Sequence, residues 1–343
     1  MLKSMAIAAM EMSGLSAALT PVYAGRGVIF TGHRVLRDGQ ATLIPGNAVT
    51  ESQLDRMVQC IRRSGWEIVP LESVPSLLAD ASKPRFACLT FDDGFADNLL
   101  VAAPMLRASG APFAVFPVVD FIARARVPDQ ELLEWLLLRV DRLELRLSDG
   151  VALRENTRTP GEKHAAFHKL MGFVWRKAPG LGDALASAAR DAGLTVDGFM
   201  NDTFLTWEQL RELAHLPGVT IGTHSLSHRP LASLDAQLAF EELARPREVL
   251  SQTLGVPVTC TAYPYGSKKE CDSREFELAK KAGYTLGLTT RPGNLYGEHA
   301  RELLSLPRVT ISMVPHASSD RFIRTSLRGI RNAVMNRLRR KAA

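Results

Sequence analysis

Cysteine is scarce in this chain: four in 343 residues, at Cys60, Cys88, Cys260 and Cys271, with no CxxC spacing. They read as isolated thiols, which excludes a disulfide framework and a zinc knuckle and fits a reducing compartment. Long apolar runs are missing as well. Without a stretch of roughly 18 or more apolar residues no membrane-spanning helix can be drawn, and no internal repeat or low-complexity tract is present. With 46% hydrophobic and 23% charged residues, the 37.6 kDa chain has ordinary globular usage and predicts a sizeable buried core.

The formal charge of +6 and pI near 9.3 point at first to a polyanion as partner. The location of the charge removes that reading. Residues 320–343 carry eight of the basic residues against one acid, a local +7 that leaves the remainder near −1. Nucleic acid is therefore not an expected partner of the body of the chain. Within this tail Phe322, Ile323, Leu327, Ile330, Val334 and Leu338 recur at three- and four-residue steps, which predicts a basic amphipathic helix. Packing on the body is the favoured expectation, and peripheral contact with an anionic membrane is the alternative. Residues 1–24 read as an amphipathic or partly buried segment; Glu11 interrupts the apolar run that a signal peptide would need. These readings favour a cytoplasmic protein, with the inner membrane surface as a variant and secretion as the lesser alternative.

Seven short runs rich in Val, Ile, Phe and Thr alternate with helical patterns, which predicts parallel strands joined by helices. They are Gly27–Thr31, Phe86–Phe91, Pro112–Val118, Gly218–Gly222, Pro257–Tyr263, Tyr284–Leu288 and Ser305–Ile311. Thr50 with Gln53 and Thr206 with Gln209 have the capping-box spacing of helix starts. A helical stretch from Asp235 to Leu254 is expected to kink or divide at Pro246, and another spans Ser273–Ala282. From about Asp120 to Thr206 the pattern is helical with no convincing strand, an insertion between strands. One body over 25–319, carrying that insertion and followed by the tail at 320–343, accounts for the length.

The chemistry concentrates at strand ends. Asp92 and Asp93 in Thr90-Phe91-Asp92-Asp93-Gly94 are adjacent carboxylates that raise each other's pKa unless a cation neutralises them. A turn with helix-capping acids is the bland reading. His224 and His228 in HSLSH can converge on one ion if the chain turns helically between them; with a carboxylate they make three ligands and leave room for water and substrate. His164 and His168 repeat this spacing inside the insertion, with no acid pair and no strand end, and read as helix-surface residues. Ala262-Tyr263-Pro264-Tyr265-Gly266 ends a further strand in a rigid turn whose Tyr265 N–H could face an oxyanion, or which simply packs. His33, in Gly32-His33-Arg34-Val35 after the first strand, is either a packing residue or a proton carrier. Trp207 and Tyr263 fit equally as sugar-stacking rings or as core.

Together these segments resemble the NodB-type polysaccharide deacetylases, carbohydrate esterases that use a metal to remove N- or O-acetyl groups from sugars. TFDDG matches the first family motif, HSLSH the second, and AYPYG approximates the third. The matching segments anchor roughly residues 25–312, while the insertion has no counterpart. The resemblance implies an α/β fold, a distorted (β/α)7 barrel of the glycoside hydrolase/deacetylase type. It implies Asp92 as general base and Asp93, His224 and His228 as ligands of a divalent metal, zinc first and cobalt or nickel as alternatives. It also implies the Tyr265 N–H as oxyanion donor and an N-acetylated glycan as substrate.

The sequence departs from the pattern twice. Ala262 stands where the third motif often carries an Arg that orients the catalytic Asp, and Arg308 is the candidate replacement. The late Leu-x-His of the usual general acid is missing, since His299 and His316 lie in unsuitable contexts. His33 is the candidate instead, because the poly-N-acetylglucosamine deacetylases use a histidine in a YHRV-like segment, here FTGHRV. Rival expectations are a metal-dependent hydrolase of another C–N bond and a non-catalytic carbohydrate-binding relative. Chitooligosaccharide, lipopolysaccharide precursor, exopolysaccharide and peptidoglycan all fit as the glycan.

Overall fold

A computed structural model describes residues 20–314 and 317–331. Seven parallel strands appear where the apolar runs predict them: β1 (Gly27–Gly32), β2 (Phe86–Asp93), β3 (Phe113–Pro117), β4 (Val219–Ile221), β5 (Cys260–Ala262), β6 (Leu286–Pro292) and β7 (Leu306–Thr310). Sequence neighbours pair throughout except β4 with β5, and β7 pairs with β1. The remaining gap narrows at a bridge between Thr223 and Thr261, where the Thr223 N–H donates to Cys260 O and the Ala262 N–H to Thr223 O. The result is a nearly closed (β/α)7 barrel. At this seam Gly222 is required, because a Cβ there would lie 2.3 Å from the Phe116 ring and 2.8 Å from Cys260 O.

Alternation along the strands fills two layers. Ile29, Cys88, Phe116, Cys260 and Leu288 belong to one cluster inside the barrel. Val28, Phe30, Leu89, Phe91 and Val115 face out and pack on Leu54, Met57, Val58 and Ile61 of the helix Glu51–Arg63. Burial on both faces explains why these strands are apolar throughout. Both expected capping boxes, at Thr50 and Thr206, are formed in full. The helix Ala236–Leu254 runs through Pro246 as one element, so of the two expected effects of this proline division does not occur.

The insertion builds its own core. Helices Asp129–Arg139, Pro160–Trp175, Leu181–Asp191 and Val196–Thr203 enclose Leu132, Leu136, Phe167, Leu170, Leu185 and Phe199. It is not all helical: Arg142–Arg146 and Ala152–Asn156 form an antiparallel hairpin, with Gly150 at φ 84° in the turn. Leu143 and Leu145 point into the insertion core while their neighbours face out, an alternation of period two. The insertion is sewn to the barrel mouth, since the Ala96 N–H donates to Thr203 O at 2.9 Å and the Leu205 N–H to Gly94 O at 3.0 Å.

All four cysteines are buried and free. Helix Asp320–Leu327 packs on the helix Glu51–Arg63, burying Phe322, Ile323 and Leu327; Ile330 is also buried. Val334 and Leu338 fall in residues 332–343, outside the described residues, as do residues 1–19 of the N-terminal segment. Among the described residues no helix is long and apolar enough to cross a membrane.

Candidate active site

Strand parity decides what faces the barrel axis. Asp92 lies in register with inward-facing Cys88, and Arg308 with Leu306, so both side chains meet inside the barrel at its C-terminal end. Arg308, 1% exposed, donates from Nη1 to Asp92 Oδ1 at 2.8 Å and from Nη2 to Oδ2 at 2.7 Å. Its Nε reaches Thr289 O at 3.0 Å and its Nη1 also reaches Thr90 Oγ1 at 3.3 Å. A planar fork on a buried carboxylate satisfies both partners, as a buried pair requires. Burial alone would raise the Asp92 pKa, but the Arg308 and His224 neighbours hold it well below the usual carboxylate range.

Asp93 behaves oppositely. Burial and the adjacent Asp92 charge push its carboxyl well above the usual range, and its buried Oδ1 accepts no hydrogen bond. That orphan oxygen lies 3.5 Å from His224 Nε2 and 3.4 Å from His228 Nε2. One ligand atom from each of the three residues falls within 4.8 Å of the others. The His224 Nδ1 is 2.7 Å from Ala262 O, which orients the ring so that Nε2 faces Asp93. Burial lowers the pKa of both imidazoles, that of His228 most, which keeps them in the neutral form that ligates metals. A buried, unpartnered carboxylate oxygen facing two neutral imidazoles is a donor set that fits a divalent cation.

The backbone is bent to achieve this. Asp93, Ser225, His228 and Tyr265 have φ of 73°, 63°, 58° and 61°, and only two other non-glycine residues among those described are left-handed. Each such residue costs about 1–3 kcal/mol. The segment between the histidines is thus not the helical turn anticipated from their spacing; two left-handed residues bring the rings to 5.0 Å. The Ser225 hydroxyl accepts the His228 N–H at 2.9 Å. Buried Glu242, from the helix Ala236–Leu254, accepts the Ser227 N–H at 2.9 Å and the Ser227 hydroxyl, and its carbonyl accepts the Leu226 N–H at 3.0 Å. Nothing in the sequence pattern singled out Glu242, because an acid on an amphipathic helix ordinarily faces water.

His33 lies at the end of β1, half-buried. Burial lowers its pKa to about 4 against the opposing charge of Asp92, and its buried Nδ1 has no hydrogen-bond partner. Tyr265 is exposed, with its ring 5.0 Å from that of His228; no hydrogen bond among the described residues engages its N–H. Burial raises the pKa of Glu131, on the insertion helix, to about 7, and its charge in turn bears on Asp93 and Tyr265. Sequence reasoning missed Glu131. Tyr263 is fully buried, donating to Leu304 O at 2.9 Å, and is a core residue, while Trp207 is half-buried and packs against the main core. His299 is tied to Tyr296, and His316 lies outside the described residues. His164 and His168 are exposed on the helix Pro160–Trp175.

Comparison with known proteins agrees with this geometry. The family model described as polysaccharide deacetylase matches residues 164–287, which include HSLSH and AYPYG and begin after TFDDG. Among solved structures, the Streptococcus pyogenes deacetylase PplD in complex with acetate covers 88% of this chain and 97% of its own, at 18% identity and TM-score 0.56. IcaB from Ammonifex degensii covers the same shares at 17% identity and TM-score 0.55, and both likenesses establish the barrel fold. YxkH of Bacillus subtilis, whose name places it among the polysaccharide deacetylases, is 30% identical over 267 residues, 77% of this chain and 67% of its own length. The chain therefore belongs to the polysaccharide deacetylase family and is a deacetylase enzyme.

Proposed function

We propose that this deacetylase is a metal-dependent hydrolase that removes N-acetyl groups from an amino-sugar glycan. The observation that carries the reading is the buried, unpartnered Asp93 Oδ1 facing His224 and His228 beside the Asp92–Arg308 pair. Asp93, His224 and His228 would hold a divalent cation, zinc by preference for two imidazoles and a carboxylate, with cobalt or nickel as substitutes. When bound there, the cation supplies Lewis acidity, which polarises the acetyl carbonyl and makes water acidic.

The remaining work falls to the chain's own groups. Asp92, kept anionic by Arg308, accepts the proton of the attacking water. The Tyr265 N–H, on a turn anchored by Thr290 through the carbonyls of Tyr265 and Gly266, donates to the developing oxyanion. His33 delivers a proton to the departing amine. Because burial keeps its imidazole neutral near pH 7, it becomes a donor only after taking up a proton released within the reaction.

Acetate release tests the proposal. The chelated enzyme should be inactive on N-acetylglucosamine oligomers and recover with one equivalent of zinc, cobalt or nickel. No acetate from any oligomer with any of these ions, together with no ion retained on dialysis, would overturn it.

A further inference from the structure

One carboxylate of the insertion leaves the insertion core and reaches the loops of the barrel mouth. Glu134, on the helix Asp129–Arg139, is 3% exposed. Its Oε1 accepts from Thr42 Oγ1 and the Leu43 N–H, both at 2.6 Å, and from the Ile44 N–H at 3.2 Å. Its Oε2 accepts from Arg34 Nη1 at 3.4 Å. Arg34, stacked over the Phe95 ring, donates from Nε to Asp97 Oδ2 at 3.0 Å. The second Asp97 oxygen accepts the Val35 N–H at 2.9 Å, and neighbouring Asn98 donates to the His33 carbonyl at 2.9 Å.

The backbone of His33 is therefore fixed on both sides, by Asn98 at its own carbonyl and by Asp97 at Val35. Its ring Nδ1 has no protein partner. A buried carboxylate needs its lone pairs satisfied, and here Glu134 accepts four hydrogen bonds. Three of these tie down residues 42–44, and the fourth holds the arginine that neighbours His33. An arrangement that pins the backbone and spares the ring suits a side chain that must be aimed.

We propose that Glu134 is a positioning residue for His33, acting through Arg34 and Asp97, so that the insertion supports part of the acid–base machinery of the barrel. This rests on the reading of His33 as the proton donor to the leaving group. Without the bracket, the imidazole would swing away from the departing amine while the metal ligands stay in place. A displacement near 1 Å is enough to slow a positioned proton transfer by up to about 10²-fold.

Two substrates with different leaving groups test it. An amine must be protonated to depart, whereas 4-nitrophenolate leaves unaided, so loss of a proton donor slows only the first. His33→Gln should lower kcat on the N-acetylglucosamine tetramer by about 10²-fold or more and leave hydrolysis of 4-nitrophenyl acetate nearly unchanged. Glu134→Gln keeps an acceptor for residues 42–44 but turns a donor toward Arg34. It should lower kcat on the tetramer by roughly 10- to 10²-fold with KM unchanged, spare 4-nitrophenyl acetate, and add nothing in the double variant with His33→Gln. Equal slowing of both substrates by Glu134→Gln, or additivity in the double variant, would overturn the proposal while the His33 reading stands. Equal slowing of both by His33→Gln would overturn the reading itself, and the proposal with it. Should Glu134→Gln fail to fold, Asp97→Asn breaks the same bracket from its other end and must reproduce the pattern.

Discussion

The chain holds two pairs of histidines four residues apart, and they come to different ends. His164 and His168 sit on a regular helix in the insertion, exposed, with ring centroids 6.5 Å apart; among the described residues no third ligand joins them. His224 and His228 sit in a loop after β4, with centroids 5.0 Å apart and both Nε2 atoms within 3.5 Å of the buried Asp93 Oδ1. Equal spacing gives proximity in both places. The difference lies in what surrounds the rings: a desolvated carboxylate, a carbonyl that fixes the tautomer of His224, and a left-handed backbone that no helix would tolerate.

The comparison breaks most visibly by substitution of one residue from each pair. Asp93→Ala or His228→Ala should remove the bound ion on dialysis and lower acetate release by at least about 10³-fold, since electrostatic stabilisation of the oxyanion alone is worth roughly 10²–10³. His164→Ala and His168→Ala should leave metal content and turnover as they are, with stability changed by no more than about 0.5 kcal/mol. Full metal occupancy in both Asp93→Ala and His228→Ala would remove the ligand assignment. Loss of activity in His168→Ala would mean that the insertion pair has a role its exposure does not suggest.

The next contrast lies in the charge behind the site pair. Only that pair is backed by a buried guanidinium–carboxylate fork, and removing one partner of such a pair costs about 3–5 kcal/mol. Arg308→Met should lower the unfolding midpoint accordingly. The sign with pH follows from the depressed Asp92 pKa: the contribution is fully present above the ordinary 3.8 and is lost as pH falls through the folded value below it. In Arg308→Met, burial acts on Asp92 without the guanidinium beside it, so the carboxyl protonates at a higher pH. The stability deficit should be largest near neutrality and shrink on acidification, read from thermal unfolding over that range. A deficit constant with pH would show that Arg308 contributes packing alone.

Much of this architecture is legible in the sequence because it depends on local pattern. Strands covered on both faces must be apolar throughout, so the seven runs stand out. The acids at the end of β2 are conspicuous because charge interrupts such a run. Arg308 could be nominated only through the family resemblance, in which Ala262 leaves vacant the place of the Arg that orients the catalytic Asp. The hairpin Arg142–Asn156 was missed despite its Asp149-Gly150 turn and its alternating leucines, since two five-residue strands are short beside the helices around them. Glu134 and Glu242 left no local signal: each is an acid on a helix, and only packing against distant loops turns it inward. The left-handed backbone at Ser225, His228 and Tyr265 is equally silent, even where a turn is expected at Tyr265, because a glycine at these positions would have announced it and these residues do not.

Glu242 offers the finest division between the two pairs. A helix holds its own i, i+4 residues in place through backbone hydrogen bonds, so His164 and His168 need no outside support. The loop between His224 and His228 has no such ladder and depends on Glu242, which takes both the N–H and the hydroxyl of Ser227. Glu242→Ala removes those side-chain contacts but leaves the Leu226 N–H on the residue 242 carbonyl, so the loop should loosen without unfolding. Metal affinity, measured by competition with a chelator, should fall by roughly 10- to 100-fold, with turnover restored at saturating metal. Unchanged affinity would mean that the left-handed residues alone hold the loop, and the ligand geometry would then be a property of the segment from His224 to His228 and not of the helix behind it.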